Sequence, residues 1–437
     1  MIKGEVLFMI DNYCLPKMKK IWSESTKYNY MLKVELAAIK AHADLGVVSK
    51  EELNLLKKNA KYDLKKINAN KESTKDEVLS FINAVCENYG KEKRWFHYGI
   101  ANNDLLENAR ALQIKQSNII IEEDICKLLN VLKANAIKYK KSYCVARTNG
   151  FHQEVTTFGL KWLGWYDELK RIYQRFLNEI IYVEVIKLSG NVGNYSDINP
   201  KVEEIVANEL KLGLQNISSY MTSRDRFSGY INVLNSISNL LEKIASEIKN
   251  LSSYEIGEVK EFQEKLVKNI TLYPHKTKAV NSENICGLSK LMKGFSETSI
   301  QYNLTNEGDY SIYLAEGEVL SSILCLIDYM VESFCPVLDK LIVDEQKMMK
   351  NIKLTKGIIF ANQVLNVLIE KGLTRENASI ILQQLAYQAF EQKIDYQTLL
   401  LNSKVGNLLT KEELDKCFNI NNALKNIDFI YDRVLNN

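Results

Sequence analysis

The sequence predicts an almost all-α protein centred on a bundle of long helices, and three observations carry that prediction. Only 4 prolines and 19 glycines occur in 437 residues, too few breakers for many short strands. Apolar residues recur at helical spacing over long stretches, at 21–45, 103–143, 155–188, 226–251 and 284–304. Helices of about 25 to 35 residues need neighbours to cover their apolar faces, so a bundle is the natural arrangement.

The first stretch, 21–45, puts Trp22, Tyr28, Leu32, Val34, Leu36, Ala37 and Ile39 on one broad apolar face. Breaks are expected at Gly99, at 148–150, through the glycine-rich run 189–194, at Pro200 and at Tyr273-Pro274. The glycine-rich run reads as a turn between helices, because glycines alone are a weak phosphate signal. The aromatic-rich span 162–166 reads as core. The apolar run 6–10 is cut off by Asp11, too short for a secretory leader. The run 319–331 contains Asp328 and reads as too short to cross a bilayer. No membrane partner and a cytoplasmic location are therefore expected.

Composition narrows the class further. The length allows two or three domains and a large core. With 46% apolar and 25% charged residues, the chain has an ordinary globular composition. Its 57 basic and 54 acidic residues leave a net charge of +3, which gives no case for a nucleic-acid partner. Eight cysteines, at 14, 86, 126, 144, 286, 325, 335 and 417, form no C-x-x-C pair. They read as reduced thiols, and no zinc site is expected.

Chemistry enters through ordered motifs. The segment 268–284 contains Tyr273-Pro274-His275-Lys276 and ends in Ser282-Glu283-Asn284. Upstream lie Ile21-Trp22-Ser23-Glu24, His97-Tyr98-Gly99, Arg147-Thr148-Asn149-Gly150, Lys187-Leu188-Ser189-Gly190 and Ser223-Arg224-Asp225-Arg226. Downstream lie Gly372-Leu373-Thr374-Arg375 and the run 424–428. In this order they resemble the adenylosuccinate lyase family of the fumarase/aspartase superfamily, across all but the first eight or so residues. The resemblance implies a three-domain helical fold with a central long five-helix bundle, divided here as 1–101, 102–349 and 350–437. It also implies a homotetramer whose active sites are shared among three subunits, and no cofactor.

The family breaks a carbon–nitrogen bond to release fumarate from an aspartyl adduct. A base removes a proton beside a carboxylate, cations stabilise the carbanion, and an acid protonates the leaving nitrogen. The base is a serine of the Gly-Ser-Ser-x-Met-Pro-His-Lys loop and the acid is the histidine of Arg-Thr-His-Gly. In this chain the two loop serines read Ile270 and Thr271, the acid histidine reads Asn149, and an assisting histidine reads Asp76. Thr271, Tyr273 and His275 remain as candidate catalytic groups. His97, Asn102, Thr148, Lys276, Lys278 and Glu283 are candidates for binding the dicarboxylate part of a small-molecule substrate; Lys278 adds a cation where the family has asparagine. His97, His152 and His275 each also have a structural reading, and His42 reads as structural.

The nucleotide end departs further. Asn12, Gly308 and Gly317 stand where the resemblance places arginines, and arginine holds phosphate through a charged fork. Tyr220 stands at a glutamine position. The sequence leaves three readings open: a lyase retooled for another substrate, a catalytically silent paralogue with a structural or regulatory role, and adenylosuccinate lyase of purine biosynthesis.

Overall fold

The computed structural model describes residues 11–262, 279–304 and 310–436. Five long helices dominate it: Asn102–Lys138, Phe158–Val183, Asp225–Leu251, Val280–Gln301 and Tyr310–Asp339. The architecture is all-α. Among the described residues, strands are confined to short antiparallel pairs, Tyr143–Thr148 with Phe151–Thr157 and Val259–Lys260 with Ile342–Val343.

The chain divides into two compact units, and several of the long helices contribute residues to both. The first comprises residues up to 127, 171–242 and 285–333. Its helix Glu24–Asp44 starts at Ser23, whose hydroxyl accepts the Thr26 N–H at 3.2 Å and so satisfies one free donor of the first turn. The helix buries Tyr28, Met31, Val34 and Ala38, and Tyr28 stacks on Phe81 with ring centroids 5.7 Å apart. Leu105, Leu106, Ile198, Val202 and Val206 complete that core.

Buried polar staples fix the irregular segments of this unit. Lys187 is fully buried and donates to Asp104 Oδ1 and to the Gly190 carbonyl, each at 2.5 Å. Asp104 Oδ2 in turn accepts the N–H groups of Ala101 and Gly190. The glycine-rich run is thus a turn locked by a buried ion pair, as its composition suggested. Gly193 has φ +75°, and a Cβ there would collide with the Ser218 carbonyl.

Two sequence expectations are corrected in this unit. Cys14 and Cys325 form a disulfide, so the eight cysteines are not all free thiols. The pair is separated by 311 positions, and no local spacing announces it. The apolar run 319–331 belongs to a 30-residue helix, Tyr310–Asp339, because neither Gly317 nor Pro336 ends it. The portion Ala315–Asp339 is long and apolar enough to cross a membrane, and 78% of its most apolar window is buried inside the protein.

The second unit comprises residues 128–170, 243–284 and those after 333. Phe158, Trp162 and Trp165 form an aromatic ladder in its core, with centroids 5.8 and 5.2 Å apart. Shorter helices follow, with a core of Val364, Leu368, Leu382, Tyr396, Leu400 and Leu414. The hairpin 143–157 corrects the expectation of helix from residue 155. Its turn residues Asn149 and Gly150 have φ +51° and +81°, and Thr148 pairs with Phe151. A two-residue turn with both φ values positive suits the twist of a hairpin, and Asn-Gly is the favoured pair for it.

Candidate active site

The residues proposed from sequence fall into three groups. In the first unit, Asp76, His97 and Asn102 come together. His97 Nε2 lies 3.0 Å from Asn102 Oδ1, and Asn102 Nδ2 donates to Asp76 Oδ2 at 3.2 Å. Asp76 also caps the helix Glu77–Cys86, accepting the Leu79 N–H at 2.8 Å. The side chain at the assisting-histidine position therefore has a structural duty as a helix cap. Asn102 has committed its oxygen and one N–H, leaving one N–H for a ligand.

Behind His97 stands Glu35, which the sequence reading missed. It is fully buried and accepts both the His97 backbone N–H at 2.8 Å and ring Nδ1 at 2.9 Å. Burial opposes charge on His97, but the hydrogen bond and charge of Glu35, then Asn102 and Asp104, outweigh it and raise its pKa. The available signal was a carboxylate on the apolar face formed by Tyr28, Met31, Ile39 and His42.

A second charged cluster was also missed. Glu107 accepts a fork from Arg224 at 2.8 and 3.0 Å, and Glu316 accepts from Arg110 at 2.6 Å and Arg224 at 2.8 Å. All four side chains are buried, and the Arg110 guanidinium lies 3.6 Å from the Tyr313 ring centroid. The carboxyls respond differently. Burial raises both, but at Glu107 the Arg224 fork, Arg110 and the Thr222 N–H prevail and hold it at about 2. At Glu316 burial prevails over Arg110 and Arg224, and its pKa is raised. Gly317 opens onto this cluster, since a Cβ there would sit 3.2 Å from Arg110 Nη2.

In the second unit, Thr148 donates to Gln153 Oε1 at 3.1 Å and Asn149 forms the hairpin turn. Arg147 anchors the hairpin through a fork to buried Glu258, at 2.7 and 3.2 Å, and Asn351 donates to the same carboxylate at 2.7 Å. A cavity of about 550 Å³ adjoins it, lined by Arg147, Gly150, His152, Lys161, Glu247 and Asn351 among others. Burial, then the Arg147 charge, lowers the His152 pKa and favours the neutral ring. Glu283 is exposed in the first turn of the helix Val280–Gln301. Glu261 accepts the N–H groups of Asn281 and Ser282 at 3.1 and 2.8 Å, fixing that helix start.

The third group lies outside the described residues: Ile270, Thr271, Tyr273, His275, Lys276 and Lys278, together with Gly308. Among the described residues the first unit thus offers a histidine of raised pKa beside an amide, and the second unit, taken by itself, a hydroxyl on a hairpin and a fixed start to the helix Val280–Gln301. Among the described residues no group of three or more His, Cys, Asp or Glu is arranged to hold a metal ion.

A family profile described as Lyase matches residues 12–294, and one described as Adenylosuccinate lyase C-terminus matches residues 357–434. The chain is 35% identical to the adenylosuccinate lyase of Bacillus subtilis (strain 168), covering 98% of this chain and 99% of that one. The chain belongs to the adenylosuccinate lyase family. It is also 36% identical to the adenylosuccinate lyase of Streptococcus mutans serotype c (strain ATCC 700610 / UA159), with the same coverage. Among solved structures, 3-carboxy-cis,cis-muconate lactonizing enzyme from Pseudomonas putida superimposes with a TM-score of 0.88 at 25% identity, covering 98% of each chain. Fumarate lyase from Mesorhizobium sp. BNC1 gives the same TM-score at 21% identity, over 97% of this chain and 98% of that one. The all-α fold of this family member is the fumarase/aspartase fold.

Proposed function

We propose that the protein is a carbon–nitrogen lyase that releases fumarate from an aspartyl adduct, or runs the reverse, on a substrate other than adenylosuccinate. The full-length match to adenylosuccinate lyases carries the reaction class. The substitutions at Asn12, Gly308 and Gly317 carry the change of substrate, since three charged forks for a phosphate are absent. In this reading Lys276 and Lys278 balance the doubly charged carboxylate that forms when the adjacent carbon loses its proton. Thr271, Tyr273 or His275 supplies the base, because Ile270 cannot titrate. Thr148, Asn102 and Glu283 hold and orient the dicarboxylate. The working form is a cytoplasmic homotetramer, with residues 102–349 as its core and sites shared between subunits.

Adenylosuccinate itself is the second reading, favoured by the names of both relatives. A screen of aspartyl adducts, and of fumarate with amines, separates the readings when fumarate is followed by absorbance. Turnover of a non-nucleotide adduct, lost in Lys276→Ala and reduced in Thr271→Ala, is the expected outcome. Adenylosuccinate as the preferred substrate would establish the second reading. No turnover of any adduct would leave the silent paralogue.

A further inference from the structure

Three histidines fall among the described residues, and only one has both ring nitrogens in hydrogen bonds. His42 Nε2 and His152 Nδ1 are buried without a partner. His97 Nδ1 faces Glu35 Oε1 at 2.9 Å, and a carboxylate only accepts, so Nδ1 carries a proton. His97 Nε2 faces Asn102 Oδ1 at 3.0 Å. The Asn102 amide nitrogen donates to Asp76, which assigns the amide oxygen to the histidine side. An amide oxygen also only accepts, so Nε2 carries a proton too. A ring with two N–H groups is an imidazolium.

Its orientation is fixed as firmly as its charge. Glu35 grips the backbone N–H and the ring of the same residue, and His97 sits at φ +60°. Gly99 follows at φ +71°, where a Cβ would lie 2.7 Å from the Asp197 carbonyl. Charged groups surround the ring from each neighbouring element. Glu35 comes from the helix Glu24–Asp44, Asp76 acts through Asn102, and Asp104 acts from the first turn of Asn102–Lys138. Asp104 is itself paired with Lys187, and Glu35 also acts on the Cys86 thiol, whose pKa is raised by burial and then by that charge.

We propose that Glu35 and His97 are the proton-donating pair of the site: Glu35 keeps His97 an imidazolium, and His97 Nε2 protonates the leaving nitrogen. This rests on the lyase reading above and assigns the acid role that Asn149 cannot fill. In the elimination a base takes the carbon-bound proton, and that electron pair becomes the new double bond. The carbon–nitrogen pair stays with nitrogen, which takes the proton from His97 Nε2. The ring is left neutral and regains a proton from water, to which its side chain is 23% exposed. Asn102, which is exposed, yields its contact with Nε2 to the substrate. His97 is the catalytic residue and Glu35 the positioning residue.

The test combines histidine NMR titration with kinetics on the adduct found by the screen. His97 should titrate above the ordinary histidine value in the wild type, and Glu35→Gln should lower that midpoint. The alkaline limb of kcat should move to lower pH by the same amount. His97→Asn, which tolerates a left-handed backbone, should lower kcat by roughly 10²-fold or more with little change in KM. Circular dichroism verifies that each variant folds, and Glu35→Asp replaces Glu35→Gln if the latter does not. A neutral His97 at pH 7 in an active enzyme would overturn the pair alone. So would a His97→Asn variant changed only in KM. A wild type inactive on every adduct, with His97 still charged, would overturn the lyase reading and the donor role that depends on it.

Discussion

Replacing Glu316 with alanine should produce one of the largest single-site losses of stability in this chain. Glu316 is 2% exposed and serves two guanidiniums, Arg110 and Arg224. Its removal leaves Arg224 with the Glu107 fork, while Arg110 loses its ion pair and keeps the Tyr313 carbonyl and ring and the charge of Glu107, to which no hydrogen bond ties it. A buried charge stripped of its partner costs about 3–5 kcal/mol. For a chain of this length the unfolding entropy is on the order of 0.9 kcal/mol per kelvin, so the midpoint should fall by about 3 to 6 °C. Glu316→Gln keeps the shape and should cost less. The control is Glu242→Ala, whose partners Lys290 and Lys293 are 64% and 43% exposed and whose loss should cost below about 1 kcal/mol. Calorimetric scans of the three variants at one protein concentration provide the comparison. A Glu316→Ala midpoint no lower than that of Glu242→Ala would show that the buried cluster is not held as described.

Three further outcomes follow from the same structure. Asp124 is pushed up by burial, then by Asp328 and Glu332, and Asp328 is pushed up to about 6. The folded state therefore keeps protons that the unfolded state releases, so stability declines as pH rises from 3.8 through about 6 and beyond; Asp124→Asn should raise the melting point at pH 7.5 and change it little at pH 3.5, and a lower melting point at pH 7.5 would count against the reading. Glu107 works in the opposite sense, contributing stability above 4.5 that is lost as pH falls towards about 2, and Glu107→Gln should flatten that acid limb in melting curves between pH 5 and 2.5. Gly193→Ala should destabilise by more than about 1 kcal/mol, because it adds a collision to a strained φ, whereas Gly190→Ala, at φ +84° with open space, should incur the strain alone; equal losses in thermal melts would remove the steric argument.

Much of the fold was legible because long amphipathic stretches have one economical solution. The helices Asp225–Leu251 and Val280–Gln301 follow the predicted apolar periods closely. The hairpin was not read, although Asn149-Gly150 is a strong two-residue turn signal, because 148–150 was taken as a simple break and the outer strand ends at 143 and 155–157 were taken into flanking helical patterns. The Cys14–Cys325 bond joins residues with no local relation, so spacing could not reveal it. The motifs brought out His97, Asn102 and Asp76 one by one, and it is the structure that places the three within hydrogen-bond reach of one another. Glu35 escaped because a charged residue in a helix is normally assigned to solvent, and only tertiary packing shows it buried under His97.

The proposal of a retooled lyase stands or falls on a comparison of kcat/KM for fumarate release from adenylosuccinate and from a panel of aspartyl adducts lacking a phosphate. A charged fork on phosphate is worth about 1.5–3 kcal/mol, so three absent forks should weaken adenylosuccinate by roughly a thousandfold or more. The predicted result is faster turnover of at least one phosphate-free adduct, with AMP failing to inhibit at micromolar concentration. Adenylosuccinate turned over fastest, with micromolar inhibition by AMP, would contradict it.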